Sequence, residues 1–337
     1  MLARSTKIVH KFSGATLETP ILVPSFSSKG FARNHEGKSE IGTALKYSSE
    51  FITRTYLISA YDLYFEHIPN PVSLPQPEMI FLDSGGYEVS WSNDYSAVFQ
   101  SPPYDETWDE LMHKSVLEKW PEEIPAIMVS YDNPTHREEF ANQIKRARKL
   151  FRAYPNQLHL FLLKPETKTQ KSLTKVLKIA VANVEEFSPF DIVGVTEKEL
   201  GNNTLDRMAN IAILRRALDG AKLDLPIHVF GALDPITVCL YFIAGAEIFD
   251  GLTWIRYAYD QGRCIYLHNH GALQYGLHAR DDQVKLRAMT DNIYSLETLE
   301  HKMREFVSTN DFKKLTPNEV FLEQARDSLM TKIKGEV

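Results

Sequence analysis

Only two cysteines, Cys239 and Cys264, occur in 337 residues. So low a count argues against a disulfide framework and suits a reducing cytoplasm. No run of about 18 uncharged apolar residues occurs, so no membrane span is expected. The opening MLARSTKIVHKFSG has no apolar h-region, and a secretion signal is not expected either. Repeats of solenoid spacing and low-complexity tracts are absent. Neither charge sign is in large excess: the net charge of −6 gives no global attraction to nucleic acid. What remains is ordinary globular material, 43% hydrophobic and 24% charged, long enough for one large domain or two smaller ones.

Charge is nevertheless unevenly placed. Ten basic residues fall between Lys145 and Lys178, among them Arg146, Lys149 and Lys168, with Glu166 the single acid. A solvated helix surface gives such a pattern, and so does a track for phosphates, because polynucleotide affinity depends mainly on clustered Lys and Arg. The stretch DETWDELMHKSVLEKWPEE (105–123) is acidic on balance and would repel a phosphate backbone.

Eight short apolar runs rich in β-branched residues recur at 20–26, 51–59, 79–84, 124–132, 158–164, 191–196, 226–232 and 247–253. Near-continuous hydrophobicity suits parallel strands covered on both faces. Between the later runs, 140–154, 171–187, 203–220 and 235–246 have helical spacing, the third opening at Asn203-Thr204 and closing at Gly220. Alternation of this kind indicates an α/β fold, a closed (β/α)8 TIM barrel. The stretch 85–123 is too long for a simple crossover and is expected to insert over one end after the third strand. Residues 281–337 read as a C-terminal helical extension packed on a barrel of residues 1–280.

Chemistry in such barrels sits at the carboxyl ends of the strands. Acids fall near several of those ends: Asp83, Asp132, Glu197 with Glu199, and Asp250. A lone acid there is usually a helix cap or turn former. Several on one rim suggest use, because like charges packed together destabilise a fold. The segment FLDSGGYE (81–88) stands out, with a carboxylate, two glycines and an aromatic where a strand stops.

FLDSGGYE resembles the DSGG-aromatic motif of the tRNA-guanine transglycosylase family. GATLETPILVPSFS (14–27), MVSYDNP (128–134), HVFGALDP (228–235) and IFDGLTWIR (248–256) are similar to further family segments, in the same order. Members are (β/α)8 barrels that exchange a guanine in a polynucleotide for a 7-deazaguanine base. The resemblance implies Asp250 as the nucleophile at C1′, forming a covalent sugar–enzyme intermediate, and Asp83 as a proton-transfer or geometry-holding carboxyl. It implies Asp132 as acceptor from the purine N1–H and amine, and Gly194 as a backbone donor to O6. Ser84, Gly85 and Gly86 would bring backbone close to the base, with Tyr87 and Phe230 stacking on it and Gly231 beside Phe230. Tyr87 and Phe230 also read as plain core aromatics. Arg256 would contact phosphate, as would Lys145, Arg146, Lys149 and Lys168 on the basic stretch.

The chain departs from the pattern in three places. The family's cysteine-rich zinc site is not recognisable. Only CIYLHNHGALQYGLH (264–278) offers donors (Cys264, His268, His270, His278), at a spacing that fits a polar loop better than a metal, so no cofactor is expected. Lys164 stands where relatives have a glutamine facing the base, and Glu88 replaces another glutamine in what reads as a surface change. The implied partners are DNA or tRNA and a free 7-deazaguanine base, with DNA slightly favoured because the zinc subdomain is missing. A homo-oligomer or a modification complex stays open. Two other readings remain: a non-catalytic nucleic-acid-binding subunit, and an N-glycoside hydrolase using paired carboxylates.

Overall fold

The computed structural model describes residues 2–33, 39–91, 93–97, 107–132, 137–166 and 170–334. A short antiparallel hairpin comes first: β1 (Lys7–Val9) and β2 (Thr16–Glu18). Eight parallel strands then close on themselves: β3 (Ile21–Phe26), β4 (Thr55–Ser59), β5 (Met79–Asp83), β6 (Ala126–Val129), β7 (Leu158–Leu162), β8 (Ile192–Thr196), β9 (Ile227–Phe230) and β10 (Ile248–Gly251). Each pairs with its sequence neighbour, and β10 returns to β3, giving the expected (β/α)8 TIM barrel. A second hairpin, β11 (Ala258–Asp260) with β12 (Arg263–Ile265), follows the last barrel strand.

The helices are α1 (Glu40–Ser48), α2 (Ala60–Tyr64), α3 (Glu110–Glu118), α4 (Phe140–Phe151), α5 (Gln170–Ala182), α6 (Thr204–Gly220), α7 (Pro235–Ile243), α8 (Thr253–Arg256), α9 (Leu267–Tyr275), α10 (Asp281–Thr309) and α11 (Glu319–Lys334). Two of the starts that follow barrel strands are chemically marked. Asn203 caps α6 by accepting the Asp206 amide at 2.9 Å. Asp234 accepts the amides of Ile236 and Thr237 ahead of α7, which has Pro235 in its first turn. Such caps satisfy amides that have no partner inside the helix.

Period-two alternation explains where the site forms. Side chains of one parity point into the barrel: Ile21 and Val23, Leu57, Met79 and Phe81, Leu158, Leu160 and Leu162, Ile192 and Ile248 form one inner cluster. The other parity, including Leu22, Tyr56, Ile80, Met128, Phe161, Val193 and Phe249, packs under the helices. Continuing the inward series toward the carboxyl ends turns it polar: Ser25 after Val23, Ser59 after Leu57, Asp83 after Phe81, Lys164 after Leu162 and Asp250 after Ile248. Those polar ends line the barrel mouth. At the opposite end, Ile8 and Leu17 of the β1–β2 hairpin join the inner cluster and plug the floor. His10 locks that hairpin to Gln157 through Nε2 at 3.1 Å.

Beneath the floor, Glu247 has no exposed surface. Its carboxylate accepts Thr6 Oγ1 at 2.6 Å and Thr19 Oγ1 at 2.9 Å, and pairs with the fully buried Arg215 at 3.3 Å. Burial is the main influence on Arg215, pulling its guanidinium below its ordinary value. Removing one partner of a buried ion pair strands the other. Glu247→Ala should therefore destabilise the protein by about 3–5 kcal/mol in urea unfolding; a loss under 1 kcal/mol would show that solvent or Asp219 compensates Arg215.

The C-terminal helices pack on the barrel. Asn292 of α10 accepts the Tyr259 amide and donates to the carbonyls of Trp254 and Tyr257, all at 2.7 Å. Glu300 accepts the Leu22 amide at 2.8 Å and pairs with Arg54 and Arg304. α10 thus braces the segment just after Asp250, and Trp254 reaches back to the Ser25 carbonyl at 3.1 Å.

Candidate active site

One hollow opens at the carboxyl ends of the strands and has an empty volume of about 870 Å³, counted to its open mouth. Asp83, Ser84, Gly86, Tyr87, Asp132, Lys164, Phe230, Gly231 and Asp250 all line it. Tyr87, Glu88, Ser90, Asp94 and Tyr95, from the segment expected to insert over one end, form part of its wall. Residues 98–106 of that segment lie outside the described residues.

Asp250 has a neighbour for each oxygen. Oδ1 receives His228 Nε2 at 3.0 Å and the Gly231 amide at 3.3 Å, while Oδ2 accepts Ser25 Oγ at 2.7 Å. Gly231 has φ of +81°, a left-handed conformation that glycine adopts without strain. Asp83 accepts the Gly85 amide at 3.1 Å. Its carboxyl is pushed up to about 7, first by burial, then by the neighbouring Glu88 and Asp250 charges, against the Gly85 bond that favours ionisation.

The two glycines of FLDSGGYE make room for protein groups. At Gly85, φ of +85°, a Cβ would come within 2.8 Å of both Tyr61 Cβ and Trp108 Nε1. At Gly86 a Cβ would meet Asp132 Oδ2 at 2.9 Å, so the missing side chain admits Asp132 to the wall. Gly194 lies in packed interior rather than on the wall. A Cβ there would strike Leu160 at 2.7 Å and Phe230 at 2.8 Å, so this glycine seats the Phe230 ring.

Asp132 is already partnered, by Arg137 at 2.6 Å and Lys164 at 3.3 Å. Lys164 also donates to Thr196 Oγ1 at 2.7 Å and Glu199 at 3.1 Å. Each Asp132 oxygen keeps lone pairs for a ligand. Tyr87 has the Lys29 ammonium 4.6 Å and the Lys198 ammonium 5.7 Å from its ring centre. Burial, the largest influence on both lysines, lowers each to about 8. Burial likewise pushes Glu197 up to about 7, although Tyr241 donates to it at 2.8 Å.

Several expectations are corrected. Glu88 is not a surface change: it is 1% exposed, accepts Ser59 Oγ at 3.0 Å and Ser27 Oγ, and is raised by burial. Arg256 is no free phosphate ligand. It holds Asp94 at 2.8 Å and Ser96 Oγ at 2.6 Å, bracing the wall segment. Arg146 pairs with Glu110 and Glu138, whereas Lys145 and Lys149 are exposed along α4. Lys168 lies outside the described residues. The 264–278 stretch is a strand and a helix instead of a loop. Within it Cys264 faces Asp234 with its thiol pushed up by burial, His268 is exposed, and His270 packs against Tyr275. Among the described residues no three His, Cys, Asp or Glu side chains gather as a metal-binding group, and no helix is long and apolar enough to cross a membrane.

Reading the sequence missed His228, Arg137, Lys29 and Lys198. His228 had a usable signal: two residues before Phe230 in one strand, it must share that residue's face. The fold and mouth together define an α/β barrel with a carboxylate-lined pocket. Comparison with protein-family models and with curated proteins finds no match to this chain.

Proposed function

We propose that this protein is a nucleic-acid guanine transglycosylase, exchanging guanine for a 7-deazaguanine base through a covalent aspartyl–sugar intermediate. The observation that carries this reading is the meeting of Asp83, Asp132 and Asp250 on one hollow beside Phe230. Asp250 bonds C1′ as the C1′–N9 bond breaks, and the departing guanine takes the bond's electron pair and a proton from Asp83. The incoming base gives its N9 proton to Asp83 and attacks C1′, returning the ester's electrons to Asp250. Two displacements retain configuration. Asp132 accepts from the purine N1–H and amine, donors that adenine does not present in that arrangement. The target nucleotide must be turned out of its stack, and DNA is slightly favoured over tRNA because the family's cysteine cluster is missing.

The paired carboxyls Asp83 and Asp250 also suit hydrolysis of the same bond by water. Incubating the protein separately with guanine-containing DNA and with tRNA, plus labelled guanine or 7-deazaguanine, separates the two. Incorporation is expected, and it identifies the polymer. Net guanine release without incorporation would favour the hydrolase, and binding without either reaction an accessory subunit.

A further inference from the structure

The two oxygens of Asp250 are not equivalent. Oδ1 sits between two N–H groups, from His228 and Gly231, while Oδ2 meets one hydroxyl, Ser25. His228 is fully buried, and its Nδ1 has no hydrogen-bond partner among the described residues. A carboxylate only accepts, so Nε2 carries the proton it donates. The ring cannot easily turn away: it stacks on Phe230 with centroids 3.9 Å apart and meets the edge of Phe81 at 5.3 Å.

We infer that His228 is a positioning residue that assigns the two oxygens different tasks, holding Oδ1 as the carbonyl oxygen of the sugar ester and leaving Oδ2 to bond C1′. This rests on the transglycosylase reading. The C1′–Oδ2 bond forms as the C1′–N9 pair leaves with guanine, and the Ser25 hydroxyl rotates off Oδ2. In the second half the C1′–Oδ2 pair returns to the carboxylate, and the charge delivered to Oδ1 is met by two donors already in place. Losing the His228 donor leaves Asp250 a competent nucleophile but a poorer leaving group, so the second half slows more than the first.

The test uses the full-length protein with mixed-sequence single-stranded DNA and with bulk tRNA, each with labelled guanine. Turnover and the fraction of protein trapped as a covalent adduct on a denaturing gel are read for three proteins: wild type, His228→Phe and His228→Gln. His228→Phe keeps the stacked ring and removes the donor. It should cut turnover about 100-fold, leave KM for nucleic acid unchanged, and raise the trapped fraction several-fold. His228→Gln, whose amide nitrogen reaches the Nε2 position, should recover at least about tenfold of that loss. Wild-type turnover and trapping in His228→Phe overturns the inference, and so does a Gln variant as slow as the Phe variant. A wild type that neither exchanges guanine nor forms an adduct sinks the transglycosylase reading itself, and the inference with it. The ¹⁵N resonances of His228 give a readout independent of turnover: a protonated Nε2 and bare Nδ1 support the assignment, and a proton on Nδ1 overturns it.

Discussion

Asp250→Asn is expected to lower base exchange by at least about 1,000-fold, a loss of roughly 4 kcal/mol of transition-state stabilisation. The amide is nearly the same size and fits the same neighbours. Its oxygen accepts from His228 and Gly231, and its NH₂ donates to Ser25 Oγ, which accepts in turn. Folding is thus preserved, with a urea midpoint close to wild type. What is lost is the charge and lone pair that bond C1′, and no covalent adduct should be trapped. If the Asn variant kept a tenth or more of the wild-type rate, Asp250 would not be the nucleophile.

The second large effect concerns Asp83. Its carboxyl, pushed up to about 7 by burial and then by Glu88 and Asp250, is largely protonated below neutrality and can give a proton to departing guanine. Asp83→Asn should reduce kcat by about 10²–10⁴-fold. In the wild type, activity should fall as pH rises through about 7. Glu88→Gln removes one of the charges that hold Asp83 up, so this alkaline limb should move to lower pH. Stability follows the same linkage. A carboxyl raised above its unfolded value contributes most below about pH 4, and that contribution is lost as pH climbs to about 7, because the unfolded chain gives up its proton first. Relative to wild type, Asp83→Asn should therefore gain stability at pH 8 compared with pH 4. Parallel pH–stability curves for the two proteins would show that Asp83 does not titrate in this window.

The barrel was legible in the sequence because buried parallel strands are written as continuous apolar runs, and each of the eight runs contains or closely overlaps its strand. The helices α4 to α7 were legible for the complementary reason, their helical spacing, with α6 marked also by its start at Asn203. The β1–β2 hairpin escaped notice because two three-residue strands, each burying one side chain, leave almost no periodic signal. The expectation of a loop over α9 fails because its helix carries no apolar stripe: Leu273 is exposed and only His270 and Gly271 are buried. Within the site, Asp83, Asp132 and Asp250 were visible as acids at strand ends. The Glu88 and Arg256 expectations fail because what decides them is tertiary: Ser27 just past β3 and Ser59 at the end of β4 around one, an aspartate from the mouth wall beside the other. No linear pattern encodes those meetings.

The plugged floor has a consequence for molecular traffic. Among the described residues, Ile8 and Leu17 stop the far end, which leaves the mouth as the doorway for a small ligand. In the proposed exchange, an outgoing guanine would have to clear that passage before a replacement settles. The sugar would then be held at C1′ as the Asp250 ester with no base attached, and shielding that ester from bulk solvent during the interval would fall to the side chains around the rim.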